Sequence, residues 1–293
     1  MCGPFVRALV AAASFVLAAA PSAAADTSPS SNWAGYAVHG TGVSFEQVSA
    51  QWRQPRATCV PGSATYSAAW VGLGGFDENS MALEQIGTEL DCSKAGRVHS
   101  SAWFELVPDP ARMIRLSIRP GDLIAANVTV TADRMLVSLS DRTRHRTFTN
   151  NVYAPEVDVS SAEWIVEAPS NCVSADSCRT LPLADFGSTT FRHARAVSTT
   201  GVAGPISGPA WGRTRILLRP GGTRLVSFEP SEGAATPLAL AVGGSSFKVV
   251  YSQMAAPGRL RFVGRRFRSS GAPITDTAPA AHPALADRRI RIS

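Results

Sequence analysis

An all-β sandwich is the fold class that this sequence predicts, and three observations predict it. Short runs rich in β-branched and aromatic residues recur along the chain, separated by Gly, Pro, Ser and Asn. Some runs alternate apolar and polar residues, as Ile114-Arg115-Leu116-Ser117-Ile118 does strictly. No segment sustains a helical period. Many short strands between turns imply two packed antiparallel sheets. The stretch 26–255, about 230 residues, is ample for one such core, and it contains no internal repeat.

Taken in order, Asp26 to Ser30 reads as a flexible leader and Val43 to Trp52 as a strand. Arg53 to Ser63, with two prolines and Cys59, is a loop; Tyr66 to Leu73 is a strand that stops at Gly74-Gly75. Met81 to Glu89, Ser100 to Val107 and Ile114 to Ile118 follow. Pro120-Gly121-Asp122 makes a turn, and Leu123 to Thr131 with Met135 to Asp141 forms a hairpin. His145 to Phe148 continues the sheet, and Asn150-Asn151 marks a corner. Ala162 to Glu167 is a strand closed by a turn at Ala168-Pro169-Ser170-Asn171, beyond which Cys172 sits in a loop. Leu181 to Phe191, Ile216 to Leu218, Thr223 to Phe228 and Phe247 to Tyr251 complete the strands.

The ends differ from the middle. Met1 to Ala25 carries one charge, Arg7, then the apolar run Ala8 to Ala20 and the small-residue site Ala23-Ala24-Ala25. That is the pattern of a secretory signal cleaved before Asp26, too short for a membrane span. An exported, secreted protein that spans no membrane is the expectation. Cys2 leaves with the signal, so Cys59, Cys92, Cys172 and Cys178 remain, an even set in an oxidising compartment. The short Cys172-to-Cys178 spacing favours that bridge and leaves Cys59 with Cys92. No Cys-x-x-Cys pair and no His-x-x-x-His pattern supports zinc, so no metal and no cofactor is expected. Residues 256–293 hold eight arginines against two aspartates, a net +6 that equals the formal charge of the whole chain. This Pro/Ala/Arg-rich basic tail reads as a solvated, disordered segment. No basic–aromatic motif accompanies the arginines, so nucleic acid is not an expected partner.

The chemistry centres on Ala162-Glu163-Trp164-Ile165-Val166-Glu167. Side chains alternate along a strand, so Ala162, Trp164 and Val166 share an apolar face, and Glu163, Ile165 and Glu167 share the other. Ser101-Ala102-Trp103-Phe104-Glu105-Leu106-Val107 likewise turns Trp103 and Glu105 away from its apolar face. An indole beside a carboxylate there suits the lining of a cleft. A third segment, Leu83-Glu84-Gln85-Ile86-Gly87-Thr88-Glu89, sits just after Ser67-Ala68-Ala69-Trp70-Val71-Gly72-Leu73-Gly74-Gly75.

These stretches, in this order after Ser31-Asn32-Trp33-Ala34-Gly35-Tyr36, resemble the motifs of the glutamic peptidases, the eqolisins. The likeness runs from about Ser31 to about Tyr251. It implies a concanavalin-A-like, jelly-roll sandwich with the active site on the concave face, and a secreted, monomeric endopeptidase acting on polypeptides in acid. It also implies a catalytic pair: Gln85 to stabilise the oxyanion and Glu167 as general base and acid. Glu163, two strand positions from Ile165 and on the same face as Glu167, is the rival carboxylate. Trp33, Trp70, Trp103 and Glu105 match groove residues that would hold an extended peptide; for Trp70, core packing is the competing reading. The chain also departs from the pattern. Gly74 stands where several fungal relatives carry an Asp, Ser101 where an Asp is common, and Val107 where an aromatic is usual. No Gly-x-Ser-x-Gly is present. Two other function classes stay open on the residues alone: a glycoside hydrolase with a carboxylate pair, and a non-catalytic sugar- or peptide-binding module.

Overall fold

The computed structural model describes residues 26–77, 80–174, 177–218, 235–241, 247–256 and 259–261. In chain order the strands begin with β1 (Asp26–Ser30), β2 (Trp33–His39), β3 (Phe45–Arg53), β4 (Ala68–Gly74) and β5 (Leu83–Cys92). They continue with β6 (Val98–Val107), β7 (Arg112–Ile114), β8 (Leu123–Thr131), β9 (Arg134–Asp141) and β10 (Arg146–Tyr153). Then come β11 (Ser161–Glu167), β12 (Ser170–Ser174), β13 (Ser177–Thr180), β14 (Ser188–Ser198) and β15 (Ala203–Pro205). The last are β16 (Gly212–Leu218), β17 (Ala235–Ala241), β18 (Phe247–Ala256) and β19 (Arg259–Arg261). No described residue is helical, so no helix among them could cross a membrane.

Two large sheets make the sandwich. One runs β1-β16-β2-β11-β4-β5-β6-β7; the other runs β10-β9-β8-β3-β14-β18-β17. Neighbouring strands are antiparallel except β1 and β16. The shared core gathers one face of each sheet, including Tyr36, Trp52, Val71, Ile86, Phe104, Val128, Leu139, Trp164 and Phe191. In β8 and β9 burial alternates, the mark of a sheet with one solvated face. β4 is buried at every position, and β11 at all but the last. Their second face therefore lies under cover as well, and that cover is where the polar chemistry sits.

The hairpin of β8 and β9 and the bridge Cys59–Cys92, with Cα atoms 5.3 Å apart, stand as the sequence predicts. The bridge ties the loop after β3 to the end of β5. Cys172 and Cys178 face each other in the register of β12 and β13, but the Cys172 side chain lies outside the described residues. Thr223 to Phe228 and Met1 to Ala25 lie outside them too.

Several local expectations are corrected. Asp26 to Ser30 is no leader: it pairs in parallel with Thr214 to Leu218. Only Ile114 of the Ile114–Ile118 run stays in a strand, because the Leu116 N–H turns back to the Ile114 carbonyl at 2.8 Å and breaks the ladder. Asn150 and Asn151 continue β10, opposite Val137 and Leu136; the corner is at Arg142 to His145, where the Asp141 carboxylate accepts the N–H groups of Thr143 and Arg144. Ser170 and Asn171 open a hairpin, not a turn. Of Leu181 to Phe191, the first half makes only isolated bridges through Leu183 and Asp185, and the strand begins at Ser188.

Candidate active site

Alternation sets the outer face of the eight-stranded sheet. Ala37, Ala68, Trp70, Leu83, Trp103, Ile165 and Ile216 form a second apolar cluster there, edged by Trp33, Phe76 and Val107. All three tryptophans singled out from sequence therefore lie on this face. Trp70 is fully buried and Trp103 nearly so, which makes them its floor, while Trp33 is half-buried.

The polar groups fall into rows across the strands. Ala37 on β2 pairs with Glu163 on β11, Glu163 with Gly72 on β4, Gly72 with Gln85 on β5, and Gln85 with Glu105 on β6. Glu163 and Gln85 thus stand two strand spacings apart, about 9.6 Å at the backbone. Gly72, which has no side chain, lies between them. A Cβ there would meet Leu83 Cδ1 at 3.0 Å, Trp70 Cζ3 at 3.1 Å and Gln85 Cβ at 3.2 Å, so the close packing of these side chains over β4 leaves room for a glycine and for little more. Gln85 is buried; its Nε2 donates to Glu105 Oε2 at 2.7 Å, and its Oε1 has no partner among the described residues. Burial raises the Glu105 carboxyl pKa, and the Gln85 hydrogen bond offsets part of that rise. Glu163 is completely buried.

Glu167 belongs to a different row, with Trp33 and Ala68 beside it and Glu89 beyond. Its Oε2 accepts the Trp70 indole N–H at 2.8 Å, and its Oε1 accepts Asn32 Nδ2 at 3.1 Å. The Trp33 and Trp70 rings meet edge to face at 5.1 Å. Burial raises the Glu167 pKa to about 7; the Trp70 hydrogen bond opposes this, and the Glu105 charge adds to it. Sequence reasoning joins Gln85 to Glu167, whereas the register sets Gln85 in line with Glu163. Asn32 and its supporting Ser30, whose Oγ donates to Asn32 Oδ1 at 3.3 Å, were not singled out from sequence. The Ser31-Asn32-Trp33 motif was the available pointer. Among the described residues no three His, Cys, Asp or Glu side chains could hold a metal ion.

Gly87 makes room for Trp70 on the neighbouring strand. A Cβ at Gly87 would sit 2.4 Å from the Ala69 carbonyl oxygen and 2.5 Å from Trp70 Cβ. Gly87→Ala is expected to cost about 1–3 kcal/mol by overpacking, read as a lowered thermal midpoint, with Trp70 shifted off Glu167.

A second expected outcome concerns pH. Burial raises Glu84 to about 8, with the Asp158 N–H opposing and the Asp158 charge adding. Burial and then the Glu89 charge raise Asp91 to about 7. With Glu167, these carboxyls hold their protons to higher pH when folded than when unfolded. Their stabilising contribution is complete below the unfolded values of 3.8 and 4.5 and is lost as pH rises towards 7–8. Each group accounts for at most about 1.4 kcal/mol per pH unit in that window, and for less where solvent reaches it. The thermal midpoint should therefore be highest near pH 4 and fall steadily to pH 8. A midpoint that rises over this range would contradict the buried, protonated state of these groups.

Comparison with known proteins places this arrangement. The model of the peptidase A4 family matches residues 31–235. Aspergillopepsin-2 of Aspergillus niger is 31% identical over 201 residues, which are 60% of this chain and 67% of that protein. Among solved structures, scytalido-glutamic peptidase with a transition state analog inhibitor superposes with a TM-score of 0.57 at 24% identity, covering 75% of this chain and 98% of the other. SCP-B, a member of the eqolisin family in complex with the tripeptide Ala-Ile-His, gives 0.53 at 22% identity, with the same coverage. The likeness to these two structures is one of fold.

Proposed function

The chain belongs to the peptidase A4 family, the glutamic endopeptidases, and on that premise we propose that Glu163 and Gln85 are its catalytic pair. The observation that carries this reading is the row Glu163–Gly72–Gln85–Glu105. The family membership displaces the glycoside hydrolase and binding-module readings and makes polypeptides the substrates.

In this reading a peptide carbonyl and a water come between the two side chains when substrate binds. Glu163 takes a proton from the water as its oxygen attacks the carbonyl carbon. One Gln85 N–H is held by Glu105, which aims the other at the oxygen that becomes negative. As the C–N bond breaks, Glu163 returns the proton to the leaving amine, leaving a carboxylic acid and an amine. Glu167 is a positioning residue here: it fixes Trp70 and Asn32 beneath the substrate. Acid operation fits this set. Burial raises Glu167 to about 7, so near pH 5 it holds its proton, and burial moves Glu105 in the same direction, which lessens the negative charge around Glu163 in acid.

Export goes with the proposal. The bridge Cys59–Cys92 suits an oxidising compartment, Met1 to Ala25 serves as the signal, and the peptidase domain occupies 26–255. The basic stretch from 256 is an appendage, although Arg259 to Arg261 pairs back on β18. The enzyme acts as a monomer.

Digestion of casein at acid pH, beside a panel of polysaccharides, tests the reading. Casein should be cut, and serine- and metallo-peptidase inhibitors should not slow it. Cleavage of a polysaccharide with casein intact would contradict it.

A further inference from the structure

A cavity of ≈520 Å³ opens beside the catalytic row and takes no part in the chemistry above. Its lining includes Trp33, His39, Phe76, Ile216 and Ser160 with Ser161. The register locates it. Trp33 pairs with Glu167, Ala37 with Glu163 and His39 with Ser161, so the cavity follows β2, on the side of β11 away from Gln85. Only the small Ala37 stands next to Glu163 on that side. A peptide whose carbonyl lies over Gly72 therefore passes two strand spacings, about 9.6 Å, from β2 and the cavity along it, within reach of a large side chain.

The wall is aromatic by construction. His39 and Phe76 stack with ring centroids 4.8 Å apart and planes at 20°, and His39 Nε2 is fixed on Thr214 Oγ1 at 2.9 Å. Phe76 reaches His39 because the chain turns at Gly74 and Gly75, both at φ 81°, a conformation that disfavours side chains. Asp158 pins that turn. Its Oδ2 accepts the Gly75 N–H at 3.1 Å and the Ser80 hydroxyl, and a Cβ on Gly74 would collide with Asp158 Cβ at 2.5 Å. Ile216 belongs to the apolar floor, while the serine hydroxyls supply a few polar groups. Ser28, Ser30, Thr41 and Asp77 line it as well, and flat aromatic rings among such polar groups, in a volume of this size, suit a side-chain binding pocket.

We propose that this cavity is the specificity subsite of the enzyme and takes an aromatic side chain of the substrate, seated between the His39–Phe76 wall and Trp33. The proposal rests on the catalytic row described above, and two measurements separate the fate of the two ideas. In the first, the full chain digests a mixed peptide library and the cut sites are read by mass spectrometry. Phe or Tyr should be enriched at one fixed position relative to the cut. Phe76→Leu, which keeps apolar bulk and folding but loses the flat face, should abolish the enrichment. It should also lower kcat/KM on an aromatic peptide by roughly tenfold through KM, while a peptide with Ala at that position changes less than about twofold. Enrichment that is absent in the parent protein, or that persists with unchanged KM in Phe76→Leu and His39→Ala, overturns the subsite. In the second, binding of N-acetyl-phenylalaninamide is followed by NMR, without turnover. Binding that Phe76→Leu weakens upholds the subsite even if no peptide is cut, in which case the catalytic row alone fails. No binding to the parent protein overturns the subsite whatever the turnover.

Discussion

Glu163→Gln should lower kcat on a good peptide by roughly 10²–10⁴, the usual worth of a positioned general base and acid, and leave KM nearly unchanged. The substitution swaps one oxygen for a nitrogen in a fully buried side chain flanked by Ala37 and Gly72, so it opens no cavity and meets no bulk. Folding should survive, which a thermal melt at the assay pH checks. What disappears is the atom that takes the water's proton. An amide there can still hold the water but cannot move its proton, so the loss should fall on the chemical step and not on binding. Single-turnover kinetics on a chromogenic peptide separate the two.

Gln85→Ala is the second large effect, a loss of roughly 10²–10³ in kcat, the cost of one oxyanion donor. The buried Nε2 is already oriented, because Glu105 Oε2 holds one of its hydrogens at 2.7 Å. Removing the amide also leaves Glu105 without that donor, and the Glu105 pKa should climb further, since the hydrogen bond from Gln85 now opposes the burial effect. Glu105→Gln should be milder in rate: it keeps the catalytic amide and loses only its aim. A Gln85→Ala enzyme that matches the parent in kcat would place the oxyanion elsewhere.

Much of this was legible in the sequence. Alternation along Ala162 to Glu167 separates the Trp164 core face from the carboxylate face, and the structure keeps that division, with Trp164 in the shared core and Ile165 in the outer cluster. Gln85, Glu105, Trp33, Trp70 and Trp103 likewise come to one face. The choice between Glu163 and Glu167 was not legible. Residues four apart on a strand share a face by period, and only the pairing of β11 with β4, and of β4 with β5, decides which one stands opposite Gln85. The same reason hid β1, whose partner Thr214 to Leu218 is remote in sequence. Its polar, proline-containing sequence carries no local strand pattern. Register also lies behind the aromatic cavity, since nothing local announces that the turn at Gly74-Gly75 carries Phe76 onto His39. The disulfide Cys59–Cys92 was easier, because four cysteines allow few pairings and the short Cys172-to-Cys178 spacing leaves Cys59 with Cys92.

The most direct test sets Glu163→Gln and Glu167→Gln side by side: kcat/KM on one peptide at one acid pH, both proteins shown folded by their melts. The row across Gly72 predicts that Glu163→Gln is the inactive enzyme. Glu167→Gln should retain most of its turnover with a raised KM, because an amide can still accept the Trp70 N–H that positions the floor. An active Glu163→Gln beside an inactive Glu167→Gln would contradict the assignment and move the general base to the row of Trp33 and Ala68.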